Sequence, residues 1–180
     1  MTTKPHTTLF MAMSVNGMIA EADGSEDFLS HVNWHSFLEA AHEHGNFIVG
    51  RRTLEAVRGW GDDYGYDELT SLTRVILSRE HDGAGEVGYH FVSTPRAALE
   101  LLAHRGFETA LVTGGSATNR AFLEAGLIDR IVLNVAPAFV GQGIPLAQQF
   151  ANVITLQFES AVELPEGIVQ LSYRVDGQTS

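Results

Sequence analysis

Leu111-Val112-Thr113-Gly114-Gly115-Ser116 is the stretch whose reading decides the fold. A short apolar run, bounded by turn residues, runs into two glycines and then into a helix that Gly126 can close. Such a turn lets a ligand come close to the backbone. It also aims unpaired N–H groups and the positive end of the helix dipole at that ligand, so a pyrophosphate is a natural occupant. A plain tight turn would also satisfy these letters, although one glycine would serve for that. The dinucleotide signature G-x-G-x-x-G is absent, because Ala117 and Thr118 fill the later positions.

Two further strand ends have the same character. Val49-Gly50-Arg51-Arg52-Thr53 is a strand end, a glycine and a helix start, with Thr53 able to cap the helix and two guanidinium groups suited to phosphate. Val75-Ile76-Leu77-Ser78-Arg79 delivers a hydroxyl and an arginine where α/β sheets place ligands. Adjacent arginines are often only a solvated pair. Three such ends in one chain are harder to dismiss.

Working outward, Thr7–Ser14 reads as a buried strand broken by Asn16-Gly17, and Glu21–Ser25 as a loop. Asn33 can cap a helix to about Glu43, with Trp34, Phe37, Leu38 and Ala41 on one face and Gly45 as its stop. Phe47–Val49, Thr73–Leu77, Tyr89–Val92, Ala110–Thr113 and Ile131–Val135 read as strands. Thr94-Pro95 starts a helix through about His104. Gly59–Tyr66 reads as an irregular loop, and Val153–Val162 with Ile168–Val175 as a terminal hairpin around Leu164–Gly167. Strands alternating with helices, then a strand pair, predict α/β with an antiparallel addition. A length of 180 residues predicts one domain, spanning 1–180.

The net charge is −11, from 11 basic and 22 acidic residues, which speaks against a nucleic-acid partner. An acidic protein that binds an anion must gather its few cations, which makes Arg51, Arg52, Arg74 and Arg79 the candidates. Cysteine is absent, which excludes disulfides, thiolate nucleophiles and zinc–thiolate sites and is compatible with a cytoplasmic setting. Neither a secretory leader nor a membrane span is predicted. His31, His35 and His42 could suggest a metal, but no H-E-x-x-H occurs and solvated helix histidines are the simpler account, so no metal is expected. Asp62-Asp63 and Asp67-Glu68 read as solvated loop acids rather than catalytic pairs. Neither a G-x-S-x-G elbow nor a Walker loop is present. Ile131–Val140 is apolar on both alternating faces, and Val153, Ile154, Leu156 and Phe158 add apolar surface, which either a lone domain of this size or a closed two-fold pair can bury.

In order, these pieces resemble the dihydrofolate-reductase-like superfamily over roughly Leu9–Val175. Met11–Ala20 resembles its first strand and loop, Gly50-Arg51-Arg52-Thr53 its G-R-x-T element, Ile76–Arg79 the segment that meets the adenosine 2′-phosphate, and Thr113–Ser116 its diglycine turn. The M-S-x-x-G-x-I-A opening, and Gly126–Arg130 leading to Pro137 and Val140–Leu146, resemble the riboflavin-pathway reductase branch, the C-terminal domain of bifunctional deaminase-reductases. The resemblance implies a three-layer fold: a mixed, mostly parallel sheet, helices on both faces and an antiparallel C-terminal hairpin. It implies NADPH held by Ala12, Ile19, Gly50, Arg51, Arg52, Thr53, Ser78, Arg79, Thr113, Gly114, Gly115, Ser116 and Asn119. It also implies a homodimer that passes a hydride to a small heterocyclic or carbonyl substrate, most like a 5-amino-6-(5-phosphoribosylamino)uracil reductase. Dihydrofolate reduction and a non-catalytic NADPH-binding module are the alternatives.

The departures bear on chemistry. Dihydrofolate reductases carry an acid early in the first long helix, where this chain reads Val32-Asn33-Trp34-His35. The branch's S-L-D-G is here Ser14-Val15-Asn16-Gly17. An amide cannot transfer a proton as a carboxyl does, so Asn16 is expected to bind, and Asp27 is the nearest acid that could face the pocket.

Overall fold

A computed structural model describes residues 3–60, 64–79 and 86–176. The strands are β1 (His6–Ser14), β2 (Met18–Glu21), β3 (Asn46–Gly50), β4 (Thr73–Leu77), β5 (Tyr89–Val92), β6 (Thr109–Val112), β7 (Arg130–Ala136), β8 (Gly143–Pro145), β9 (Leu156–Glu163) and β10 (Val169–Val175). The helices are α1 (His31–His44), α2 (Arg51–Val57), α3 (Pro95–His104) and α4 (Ser116–Glu124). An eight-stranded sheet runs β5-β4-β3-β6-β1-β7-β10-β9, parallel from β5 to β7, with β10 antiparallel to both its neighbours.

Alternation along the parallel strands builds a core on each face. Leu9, Met11, Ile48, Val75, Val112 and Leu133 pack with Leu99 and Leu102 of α3 and Phe122 of α4. Phe10, Phe47, Val49, Ile76, Leu111 and Val132 pack with Phe37 and Ala41 of α1 and Leu54 and Val57 of α2. Burying each such side chain contributes about 1.5–3 kcal/mol. The result is the dihydrofolate-reductase-like α/β arrangement, with its helices divided between the two faces. The doubly apolar stretch at 131–140 is explained in part by position, since β7 lies inside the sheet between β1 and β10.

Several local expectations are corrected. Ser30, not Asn33, is the N-cap of α1, and Asn33 is a buried residue of its first turn. Gly50, not Thr53, caps α2, because the strand runs straight into the helix and leaves no residue between for a side-chain cap. The hairpin's first strand begins at Leu156 rather than Val153, where the register opposite Val175 starts. The loop after β1 contains a strand, β2, which pairs with β8 in a separate two-stranded sheet. Strands of four and three residues are too short to show a period. Arg74, a candidate phosphate ligand, is buried: its guanidinium donates to the carbonyls of Tyr66, Asp67 and Gly88 and lies 4.2 Å from the Tyr89 ring centroid. It closes the base of a loop and is spent there. Asp62 and Asp63 lie outside the described residues.

Candidate active site

The C-terminal ends of β1, β3 and β6 open onto one cleft of about 830 Å³. The Gly50 N–H donates to the Gly114 carbonyl at 2.8 Å, and the Thr113 N–H to the Ile48 carbonyl at 2.9 Å, so the two glycine motifs read separately in the sequence lie side by side. They also interlock sterically. A Cβ on Gly50 would lie 2.5 Å from the Thr118 hydroxyl, and one on Gly115 would lie 2.8 Å from the Thr53 hydroxyl. These glycines are therefore needed by packing, whatever else approaches them. The Gly114–Gly115 peptide is cis.

Of the residues expected to bind cofactor, Ala12, Ile19, Thr53, Thr113 and Gly115 line this cleft, and Asp27 lines it too. Ser116 begins α4, and its buried hydroxyl has no hydrogen-bond partner. Asn119 is fully buried beneath the diglycine turn: its backbone N–H donates to Gly115 and its side-chain amide to Leu146. Ser78 and Arg79 follow the end of β4. Ser78 is buried there with its N–H on Val92, and Arg79 is exposed. Arg51 pairs with Glu55 at 2.9 Å on α2, beside exposed Arg52.

Asn16 does not line the cleft. Its Nδ2 donates to the Val140 carbonyl at 2.7 Å, and its Oδ1 accepts from the Val140 N–H at 3.0 Å and the Ser14 hydroxyl at 2.8 Å. The amide therefore fastens the loop after β1 to the loop after β7.

The acid that sequence reading passed over is Glu26. It sits in the cleft, and loss of water raises its pKa from 4.5 to about 8, so it is largely protonated at neutral pH. Burial and the nearby Glu26 charge push the Tyr66 hydroxyl upward as well. Asp27, the neighbour of Glu26, is exposed. The available signal was adjacency: Ser25-Glu26-Asp27 precedes Phe28-Leu29 and the aromatic Trp34, a setting that can dehydrate one of two neighbouring acids. Asp67 behaves in the opposite way. The Arg58 guanidinium at 2.9 Å and the Tyr89 hydroxyl at 2.8 Å hold its carboxyl below the usual range.

An aromatic wall completes the cleft. Trp34 packs edge-on to Tyr64 at 5.3 Å and stacks near Tyr66 at 5.9 Å, while Trp60 meets Tyr64 at 6.0 Å. Among the described residues, no three His, Asp or Glu side chains converge as a metal site. His31 instead stacks on Tyr64, with 2.9 Å between its Nδ1 and the phenol oxygen.

Residues 5–170 match the RibD C-terminal domain family. The chain belongs to that family. The uncharacterized protein YwjB of Bacillus subtilis is 26% identical over 171 residues, covering 93% of this chain and 96% of that protein. The riboflavin biosynthesis protein RibD of Corynebacterium ammoniagenes is 26% identical over 164 residues, covering 84% of this chain and 49% of that protein, so the chain spans about half the length of that RibD. A dihydrofolate reductase of Enterococcus faecalis, solved with NADP(H) and RAB-propyl, superposes with a TM-score of 0.70 at 14% identity, covering 96% of this chain and 97% of that one. That likeness shows a shared fold. No helix among the described residues is long and apolar enough to cross a membrane.

Proposed function

We propose that this RibD-type chain is an NADPH-dependent reductase acting on a small heterocyclic or carbonyl substrate, most like the 5-amino-6-(5-phosphoribosylamino)uracil reductases in cofactor and reaction. The observation that carries this reading is the meeting of Gly50-Arg51-Arg52-Thr53 with Thr113-Gly114-Gly115-Ser116 at one cleft. The residues there fit the cofactor. The unpartnered, buried Ser116 hydroxyl at the start of α4, with the backbone N–H groups of that turn, suits a pyrophosphate. Arg51, Arg52 and Arg79, with Ser78, would meet the 2′-phosphate that distinguishes NADPH from NADH. Ala12 and Ile19 would border the nicotinamide. When bound, NADPH supplies the hydride.

The chain itself orients the substrate against the aromatic wall and holds a proton at the Glu26 carboxyl, whose dehydrated setting raises its pKa to about 8. Asp27 is a second carboxyl at the same opening. A cytoplasmic setting goes with such a cofactor. The homodimer reading is supported by β9, an edge strand that leaves Leu156, Phe158 and Val162 exposed. Calorimetric titration tests the reductase reading. NADPH should bind at least tenfold more tightly than NADH, the Arg79→Ala and Arg52→Ala variants should narrow that gap, and equal wild-type affinities overturn the assignment.

A further inference from the structure

All eleven lysines and arginines of the chain fall among the described residues, and none of them lines the cleft. Arg58, the cation of the loop nearest Trp60, is tied to Asp67 and Glu86, and Arg74 is buried against carbonyls. The cleft instead carries three carboxyl groups, those of Glu26, Asp27 and Glu166. Glu166 arrives from the turn between β9 and β10, where it holds φ at 64°. The positive end of α1 also faces this side, but a helix terminus is worth about half a charge. Three acidic side chains and no lysine or arginine therefore leave this side of the cleft without a cation to pair with a phosphate. A phosphate monoester would add about two further negative charges to this site.

Two neutral polar side chains that face the cleft are unused. Asn33 is 6% exposed, and neither atom of its amide has a hydrogen-bond partner. Ser30, the N-cap of α1, makes no side-chain cap bond, and its buried hydroxyl is likewise unpartnered. A buried amide left unpaired is costly in a folded protein, and a ligand offering both a donor and an acceptor relieves that cost. Such an edge belongs to a lactam or amidine ring, and the walls of Trp34, Trp60, Tyr64 and Phe37 suit a flat one.

We propose that the α1 side of the cleft takes a flat, unphosphorylated heterocycle whose amide edge is read by Asn33 and Ser30. This rests on the reductase reading above and narrows its substrate to one without the phosphate of a phosphoribosylamino-uracil. Both tryptophans of the chain line the cleft, so intrinsic fluorescence reports its occupancy. The test titrates the full chain, without NADPH, with 5-amino-6-ribitylaminouracil and with its 5′-phosphate. The unphosphorylated compound should bind at least tenfold more tightly, a difference of about 1.4 kcal/mol. The Asn33→Ala and Ser30→Ala variants should each weaken it about fivefold or more. Asn33→Ala should keep its melting temperature, since it removes an amide that is unpaired in the free protein. If Asn33→Ala fails to fold, Ser30→Ala carries the same reading. Equal or tighter binding of the phosphate, no quenching by either compound at millimolar concentration, or full affinity in Ser30→Ala overturns the proposal. If NADPH fails to bind while the two compounds behave as expected, the reductase reading falls and the pocket assignment stands.

Discussion

Replacing Glu26 with glutamine keeps the shape of the cleft and deletes its titration. In the folded chain the carboxyl ionises at about 8 rather than 4.5, with desolvation as the cause. An acid raised in this way keeps its proton in the native state over a range where the unfolded chain has released it. Wild-type stability should therefore fall as pH rises from about 4.5 to about 8 and level off above that. At 1.36 kcal/mol per pH unit, the full span is worth about 5 kcal/mol, an upper figure because water entry or a small shift of the 25–30 loop would relieve part of it. Denaturant melts at pH 5, 6, 7 and 8 should show Glu26→Gln gaining on wild type at each step, with a total gain of several kcal/mol. The other titrating groups are common to both proteins and cancel in the difference. A constant difference across this range refutes the claim that Glu26 is dehydrated. The same ionisation should appear in turnover: the alkaline limb near pH 8 in the wild-type profile should be missing from a slower Glu26→Gln enzyme.

Gly50→Ala should cost about 1–3 kcal/mol by forcing a methyl against the Thr118 hydroxyl, and Thr118→Ala should restore most of it in the double variant, read from urea melts. Asn16→Ala should cost about 1–3 kcal/mol by unpairing both backbone groups of Val140 while NADPH affinity is retained, which melting and calorimetry check together. Phe158→Asp should convert the proposed dimer to a particle near the single-chain 19.6 kDa in light scattering, whereas an unchanged mass removes β9 from the interface.

Much of the architecture was legible because it depends on short-range signals. Apolar runs ending in glycine marked β3 and β6, Thr94-Pro95 marked the start of α3, and Gly45 with φ at 68° marked the end of α1. The alternation that divides Leu9 and Met11 from Phe10 is also in the letters, since successive strand side chains point to opposite faces. The two glycine motifs could be named from sequence as well, although their interlocking through Thr53 and Thr118 could not.

What only the tertiary structure decided concerns partners far apart in the chain. Asn16 and Val140 are 124 residues apart, so nothing near Asn16 announces that its amide is already engaged. Arg74 reads like its neighbours Arg51 and Arg79 until the carbonyls of the 66–67 segment and Gly88 close around it. Glu26 and Asp27 are chemically near-equal in sequence. Both reach the cleft, and the packing of α1 and its aromatic neighbours dehydrates one of them while the other stays in water. Burial sets a pKa, and burial is a property of the assembled fold rather than of the residue.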